Sequence, residues 1–524
     1  MSGTSKESGR YDVVVIGGGH NGLTAAALLA RRGRKVLLVE RHEAVGGLAV
    51  GDEFHPGHVS AGLHHETCCV SPGVVDALKL EQHGLQMLDG PMAVFAPQRD
   101  GPGLLLHHDA DQAANEIAAH SPADARRYAQ FRAFLDRVGG VIRRWQHEAP
   151  PPIMGQGLSG LMPMLSRGWA LRRLGRRDMT ELLRIVPMCV ADWLNEWFET
   201  ELIRCLLAGP ALAGDFVGPW SPGTNLNLLR REVCASRSVV GGPMGLVEAL
   251  ARAAERYGVE VRTATAVKRI RVAGGRVEGV TLADDEPVDA ALVMSSCDPK
   301  RTFLEWVDGR HLETAFQERV SHYRMRGTTA KVDLALRGPL RFSCRPDLEV
   351  VYARTGESID GMEQAFDAVK YGRFSEEPSL DVFVPSAVRP GMAPDGHTVV
   401  SIAAHFAPYM LDDGWTDRLA ERLGDAVVKT LARYAPKLEG QIVSRRVMTP
   451  CDIEARYGLT HGHLHHGEQG LDQLLVRPTP ETARYGTPIE GLYLGGSGSH
   501  PGGGLTCLPG SLAAATIMDS TMNG

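Results

Sequence analysis

Gly17, Gly19 and Gly22 fit the spacing Gly-x-Gly-x-x-Gly, and Glu40 closes the apolar run that follows them. Each glycine has a physical reason in that pattern. The first permits a tight turn, the second lets backbone approach a pyrophosphate, and the third lets a helix pack close to a strand. A helix starting there offers free N–H groups and a partial positive charge to phosphates. Glu40 can accept hydrogen bonds from ribose hydroxyls. The set predicts a dinucleotide site. His461, His463, His465 and His466 suggest zinc, but no carboxylate or cysteine stands at ligand spacing, so no metal is expected. Gly495-Gly496-Ser497-Gly498-Ser499 misses a hydrolase nucleophile elbow, because Ser499 stands where glycine is required.

The elements that must position these residues are legible nearby. Tyr11 to Ile16 is an apolar, β-branched strand, and the alanine- and leucine-rich stretch after Gly22 is a helix. Lys35 to Glu40 is a second strand, completing β-α-β. Another α/β unit begins at Gly241-Gly242-Pro243-Met244-Gly245, with a helix over 246–257 and strands over 266–272 and 277–282 around Gly274-Gly275. Residues 111–147 and 179–208 read as helical, and 328–337 and 379–385 as strands. Gly491 to Leu494 is a short strand, followed by a glycine-rich loop and a helix over 509–519.

Composition excludes several classes. The chain has 524 residues, 43% hydrophobic and 23% charged, which fits a folded soluble protein rather than a disordered chain. Its net charge of −6 gives no electrostatic case for nucleic acid. Nine cysteines without a CxxC pair exclude a disulfide framework and a dithiol site, and suit a reducing, cytoplasmic compartment. Adjacent Cys68 and Cys69 read as packing residues. Residues 1–10 read as a disordered lead without a secretory signal, and no run is long enough to span a membrane. Residues 158–177 combine Leu161, Met162, Leu165 and Trp169 with Arg167, Arg172, Arg173, Arg176 and Arg177, the pattern of a peripheral membrane contact or of a solvated helix face.

Arg41 and Val45-Gly46-Gly47, directly after Glu40, resemble the FAD-binding start of the amine oxidase and carotenoid desaturase superfamily. Gly491 to Gly504 is similar to the C-terminal signature of bacterial phytoene desaturases. Val384-Pro385-Ser386, Ala393 to His397 and Leu459 to Glu468 resemble the pyridine nucleotide-disulphide oxidoreductase domain-containing protein 2 group within it. The resemblance implies an α/β fold with an α+β insert: a glutathione-reductase-like Rossmann domain binding FAD, built from 10–100, 235–310 and 480–524, and a substrate domain from 101–234 and 311–479.

It further implies that Val267 meets the adenine through its backbone. Gly496, Ser497, Gly503, Gly504 and Leu505 would pass close to the flavin, and the last helix would aim its N-terminus at the pyrimidine edge. His64, His65, His465 and His466 become candidates near the flavin, with packing as the alternative. Cys507 stands where the family usually carries glycine, as a covalent anchor or as a small inert substitution. The implied activity is a desaturase or dehydrogenase passing hydride from an apolar substrate to flavin, with oxygen or a quinone as acceptor. Amine oxidase, isomerase and escort-type binding protein are the alternatives on this fold.

Overall fold

The computed structural model describes residues 10–152 and 161–522. The expected disordered lead, apart from Arg10, and residues 158–160 of the arginine-rich stretch lie outside the described residues.

Strand β1 (Tyr11–Ile16) runs into helix α1 (His20–Arg31) and returns as β2 (Val36–Val39). Both strands are buried on both faces, which is why they read as unbroken apolar runs. β1 lies between β2 and Pro287–Ser295, parallel to both, and β2 pairs in parallel with Glu260–Arg262. Leu492–Leu494 joins Pro287–Ser295 in parallel. Arg276–Leu282 and Val267–Ala273 complete this sheet as an antiparallel extension. One face of the sheet packs on α1, Gly242–Arg256 and Leu508–Met522 through Leu23, Leu246, Leu250 and Ile517. The other face packs on Phe303 and Phe316.

A second seven-stranded sheet has the order Ile442–Met448, Thr329–Arg337, His397–His405, Leu380–Phe383, Tyr352–Arg354, Val94–Ala96 and Leu104–Leu106. The stretch 10–100, expected to belong wholly to the nucleotide domain, therefore supplies Val94–Ala96 to the other sheet. Three residues are too few to show a period that would have revealed this. Asp417–Ala432 covers one face of the second sheet through Leu423, Val427 and Leu431. Helices between 110 and 234 form a separate aromatic core around Phe131, Trp193 and Phe198.

Candidate active site

Gly17 has φ +95°, a left-handed conformation that favours glycine. A Cβ on Gly22 would lie 1.9 Å from the Gly17 carbonyl oxygen, so α1 reaches this close to the turn only with glycine there. A Cβ on Gly19 would meet no protein atom within 4 Å, so this backbone is open to a ligand. Glu40 ties the turn together: its Oε2 accepts from Gly18 N–H (2.7 Å) and its Oε1 from His42 N–H (2.9 Å). Each carboxylate oxygen has a second lone pair left for a ribose hydroxyl. Gly46 N–H donates to the Gly18 carbonyl (2.8 Å), laying the second glycine pair over the first loop.

A cavity runs along this turn. Gly17, Gly19, Glu40, Arg41, Gly47, Val267 and Ser497 line it. Gly22, Gly46 and Gly496 do not; they permit close packing behind it, and a Cβ on Gly496 would lie 2.3 Å from the Ser296 carbonyl oxygen. Cys507 lines neither this cavity nor the next. It has φ +61° and is fully buried, and burial pushes its thiol up to about 12. The backbone there favours glycine, and the cysteine packs in the core beside Leu23 and Ala513.

A second cavity meets the first at His64, which among the described residues is the one that lines both. Gly503, Gly504 and Leu505 line this second space, as do His65 and His465, whereas His466 faces the first. His64 is held from below. Lys331, in the middle of strand Thr329–Arg337, donates from Nζ to the carbonyls of Ala61 and Gly62. Burial lowers the Lys331 pKa, and Asp333 at 3.4 Å opposes that shift. Asp333 is shared with Arg446 (2.8 Å), which also binds Asp52 (2.9 Å). This chain of charges, buried at Lys331 and Asp333, fixes the loop that carries His64.

The second cavity, where an apolar substrate is expected, also carries charged side chains in its wall. Leu63, Pro210, Leu464 and Leu505 alternate with charged side chains. Arg231 pairs with Glu66 (2.9 Å), and Arg354 with Asp381 (2.6 Å) and Glu66 (3.2 Å). Burial pushes the Glu66 carboxyl up, but the two guanidiniums outweigh it and hold the acid below its usual range. Cys68, Cys69 and Cys234 also line this wall. The partners in these pairs lie far apart in sequence, so no local pattern could announce them.

The histidines form a neutral cluster. His20, inside the glycine motif and unremarked in the sequence, lies 6.4 Å from His64 between ring centroids, and His64 lies 6.2 Å from His465. Burial lowers His20 and His465 to about 4 and His65 and His466 to about 3, and pulls His64 well below its ordinary value. His65 Nε2 bonds Ser401 Oγ (2.9 Å) and His465 Nε2 bonds the Ala213 carbonyl (2.9 Å). Among the described residues, no group of three or more His, Cys, Asp or Glu side chains is placed to hold a metal ion.

The description "NAD(P)-binding Rossmann-like domain" matches residues 15–72. The chain is 31% identical to pyridine nucleotide-disulfide oxidoreductase domain-containing protein 2 of Rattus norvegicus, over 98% of this chain and 94% of the rat protein. The chain belongs to that family. It is also 26% identical to the lycopene-forming phytoene desaturase of Pantoea ananas, covering 95% of this chain and 97% of that one. An oxidoreductase from Methanosarcina mazei shares the fold, with a TM-score of 0.58 and 15% identity over 97% of this chain and 99% of that one. The family's chemistry is oxidoreductive and its cofactor is FAD. The first cavity fits such a group: Gly19 leaves its backbone open, and the buried nitrogens His20 Nε2, His64 Nε2 and His466 Nδ1 on its wall have no protein partner.

Proposed function

We propose that this protein is an FAD-dependent dehydrogenase of the desaturase type, acting on an organic substrate with an apolar body held in the second cavity. The observation that carries the reading is the meeting of the two cavities at His64. Bound FAD supplies a hydride acceptor. The chain supplies the rest. Glu40 would hold the ribose, Val267 the adenine side, and the open N-terminus of α1 the pyrophosphate. Gly503, Gly504 and Leu505 would bring backbone close to the reacting region and exclude water. The neutral imidazoles of His64 and His465 hold no charge there at neutral pH.

The electrons would come from the substrate and leave to oxygen or a quinone. Gly241 to Gly245 line neither cavity, and a Cβ on Gly245 would lie 2.7 Å from the Val240 carbonyl oxygen, so this turn serves packing. Pro243 there has no N–H to offer an anion. The protein should therefore purify yellow, and millimolar NADH or NADPH should leave the flavin unbleached for seconds in anaerobic stopped flow. Rapid bleaching by either nicotinamide would overturn the dehydrogenase direction and favour a reductase.

The same reading includes a peripheral membrane contact and a cytoplasmic location. Met162, Met164, Leu165 and Trp169 are exposed on helix Leu161–Arg172, beside the exposed Arg172, Arg173, Arg176 and Arg177. All nine cysteines are free, which suits a reducing compartment. No helix among the described residues is long and apolar enough to cross a membrane. Basic residues near an anionic surface contribute about 1 kcal/mol each. Changing the four arginines to serine should lower binding to phosphatidylserine liposomes by roughly a hundredfold or more. An unmodified protein that does not sediment with those liposomes ends the idea.

A further inference from the structure

Three arginines line the second cavity, and two of them are spoken for. Arg231 and Arg354 meet Glu66 and Asp381. Arg230 makes no ion pair among the described residues, although it is only 6% exposed. Its Nη1 donates to Gln469 Oε1 (2.7 Å), its Nη2 to the Pro501 carbonyl, and its Nε has no partner. Asp215, the carboxylate whose field reaches it, is already engaged by Gln469 N–H (2.9 Å) and His463 Nε2 (3.4 Å). Arg477, fully buried, adds a second positive charge and donates its Nη atoms only to backbone carbonyls. Burial and Arg477 lower the Arg230 pKa to about 10, which leaves it a cation at neutral pH.

A buried guanidinium without a counter-charge is costly unless a ligand supplies one. Of the cavity's own acids, Glu66 and Asp381 are held in pairs, and Asp215 sets one negative charge against the two positive charges of Arg230 and Arg477. We infer that Arg230 anchors a carboxylate on the substrate, so that the second cavity takes an organic acid with an apolar body. The planar fork of guanidinium suits a carboxylate. Pro501 places this anchor next to the Gly503–Leu505 loop. Gln146, on the same wall, has an unpartnered Oε1, and turning its amide would present N–H to the acid. An ammonium substrate would meet Arg230 with like charge. The inference rests on the proposed reading of this cavity as the substrate site.

The test uses FAD-loaded protein, with octanoate, octanol and octylamine as probes, followed by calorimetry and by flavin difference absorbance. Octanoate should bind saturably, at least tenfold more tightly than the other two, and perturb the flavin spectrum. Arg230→Met should cost octanoate at least tenfold and erase its advantage. If that variant does not load FAD, Arg230→Lys serves, since it keeps the charge and loses the fork: octanoate should weaken several-fold yet still exceed octylamine. Equal binding of the three probes, no saturable octanoate binding, or a substitution without effect would overturn the inference. Arg230-dependent octanoate binding that leaves the flavin spectrum unchanged would support the carboxylate anchor while removing the substrate reading of the cavity.

Discussion

Lowering the pH from 7 to 4.5 should unfold this protein, with an uptake of about six protons per molecule at pH 5, one for each strongly depressed imidazole. Burial depresses His20 and His465 to about 4, and His65, His466 and His500 to about 3, and pulls His64 well below its ordinary value. In the unfolded chain each titrates near 6.5. Between those values the unfolded state binds a proton that the native state refuses. Stability is therefore fully present above pH 6.5 and falls as pH drops toward 3–4. Each such group removes about 1.4 kcal/mol per pH unit, against a typical total of about 5–15 kcal/mol. The carboxylates work in the same direction only at lower pH, since Asp381 and Glu66 titrate below their usual range. Thermal melts in a pH series, with proton uptake from calorimetry in buffers of different ionisation heat, measure this. A melting temperature that is flat from pH 7 to 5, or uptake of one proton or fewer, would show that these imidazoles are not buried as described.

That cluster also marks where sequence reading stops. β1, α1 and β2 are legible because their signals are local: β-branched runs, glycine spacing and an acid at the end of the second strand. Glu40 and Val267 reach the same cavity wall because Thr265 N–H donates to the Glu40 carbonyl (2.8 Å) and Ala264 N–H to that of His42 (2.7 Å). His64, His465 and His466 are visible as candidates, yet the loop that carries His64 is fixed by Lys331 and His465 by the Ala213 carbonyl, both remote in sequence. His20 hides in a variable position of the glycine motif. Arg230, and the pairs that Glu66 makes with Arg231 and Arg354, exist only once the helix Thr224–Cys234 and the second sheet close on the Gly62–Glu66 loop. The charged side chains in the wall of the second cavity come from stretches scattered along the chain, which no local pattern joins.

Gly19→Ala and Gly22→Ala, one turn apart, should fail in different ways. At Gly19 (φ −70°, ψ 175°) the backbone suits any residue, and the added Cβ would touch no protein atom within 4 Å. The alanine should leave the unloaded protein's melting temperature within about 2 °C, as surface changes usually stay within about 0.5 kcal/mol. The methyl group would stand where the backbone must approach the pyrophosphate. Overpacking of that kind costs about 1–3 kcal/mol, so FAD affinity should fall roughly tenfold or more. At Gly22 the methyl group would instead sit 1.9 Å from the Gly17 carbonyl oxygen and 3.0 Å from Ser296 Oγ. Backbone cannot yield there without separating α1 from β1, and Asn21 beside it carries Gly510 of the last helix on its Oδ1 (3.4 Å). This variant should lose stability with or without FAD, and lose cofactor as a consequence. Fluorescence titration of FAD into the unloaded proteins, beside their melts, separates the two. If Gly19→Ala binds FAD like the unmodified protein, the pyrophosphate does not lie on this turn. If Gly22→Ala keeps its melting temperature, the close approach of helix to turn is not what the glycine provides.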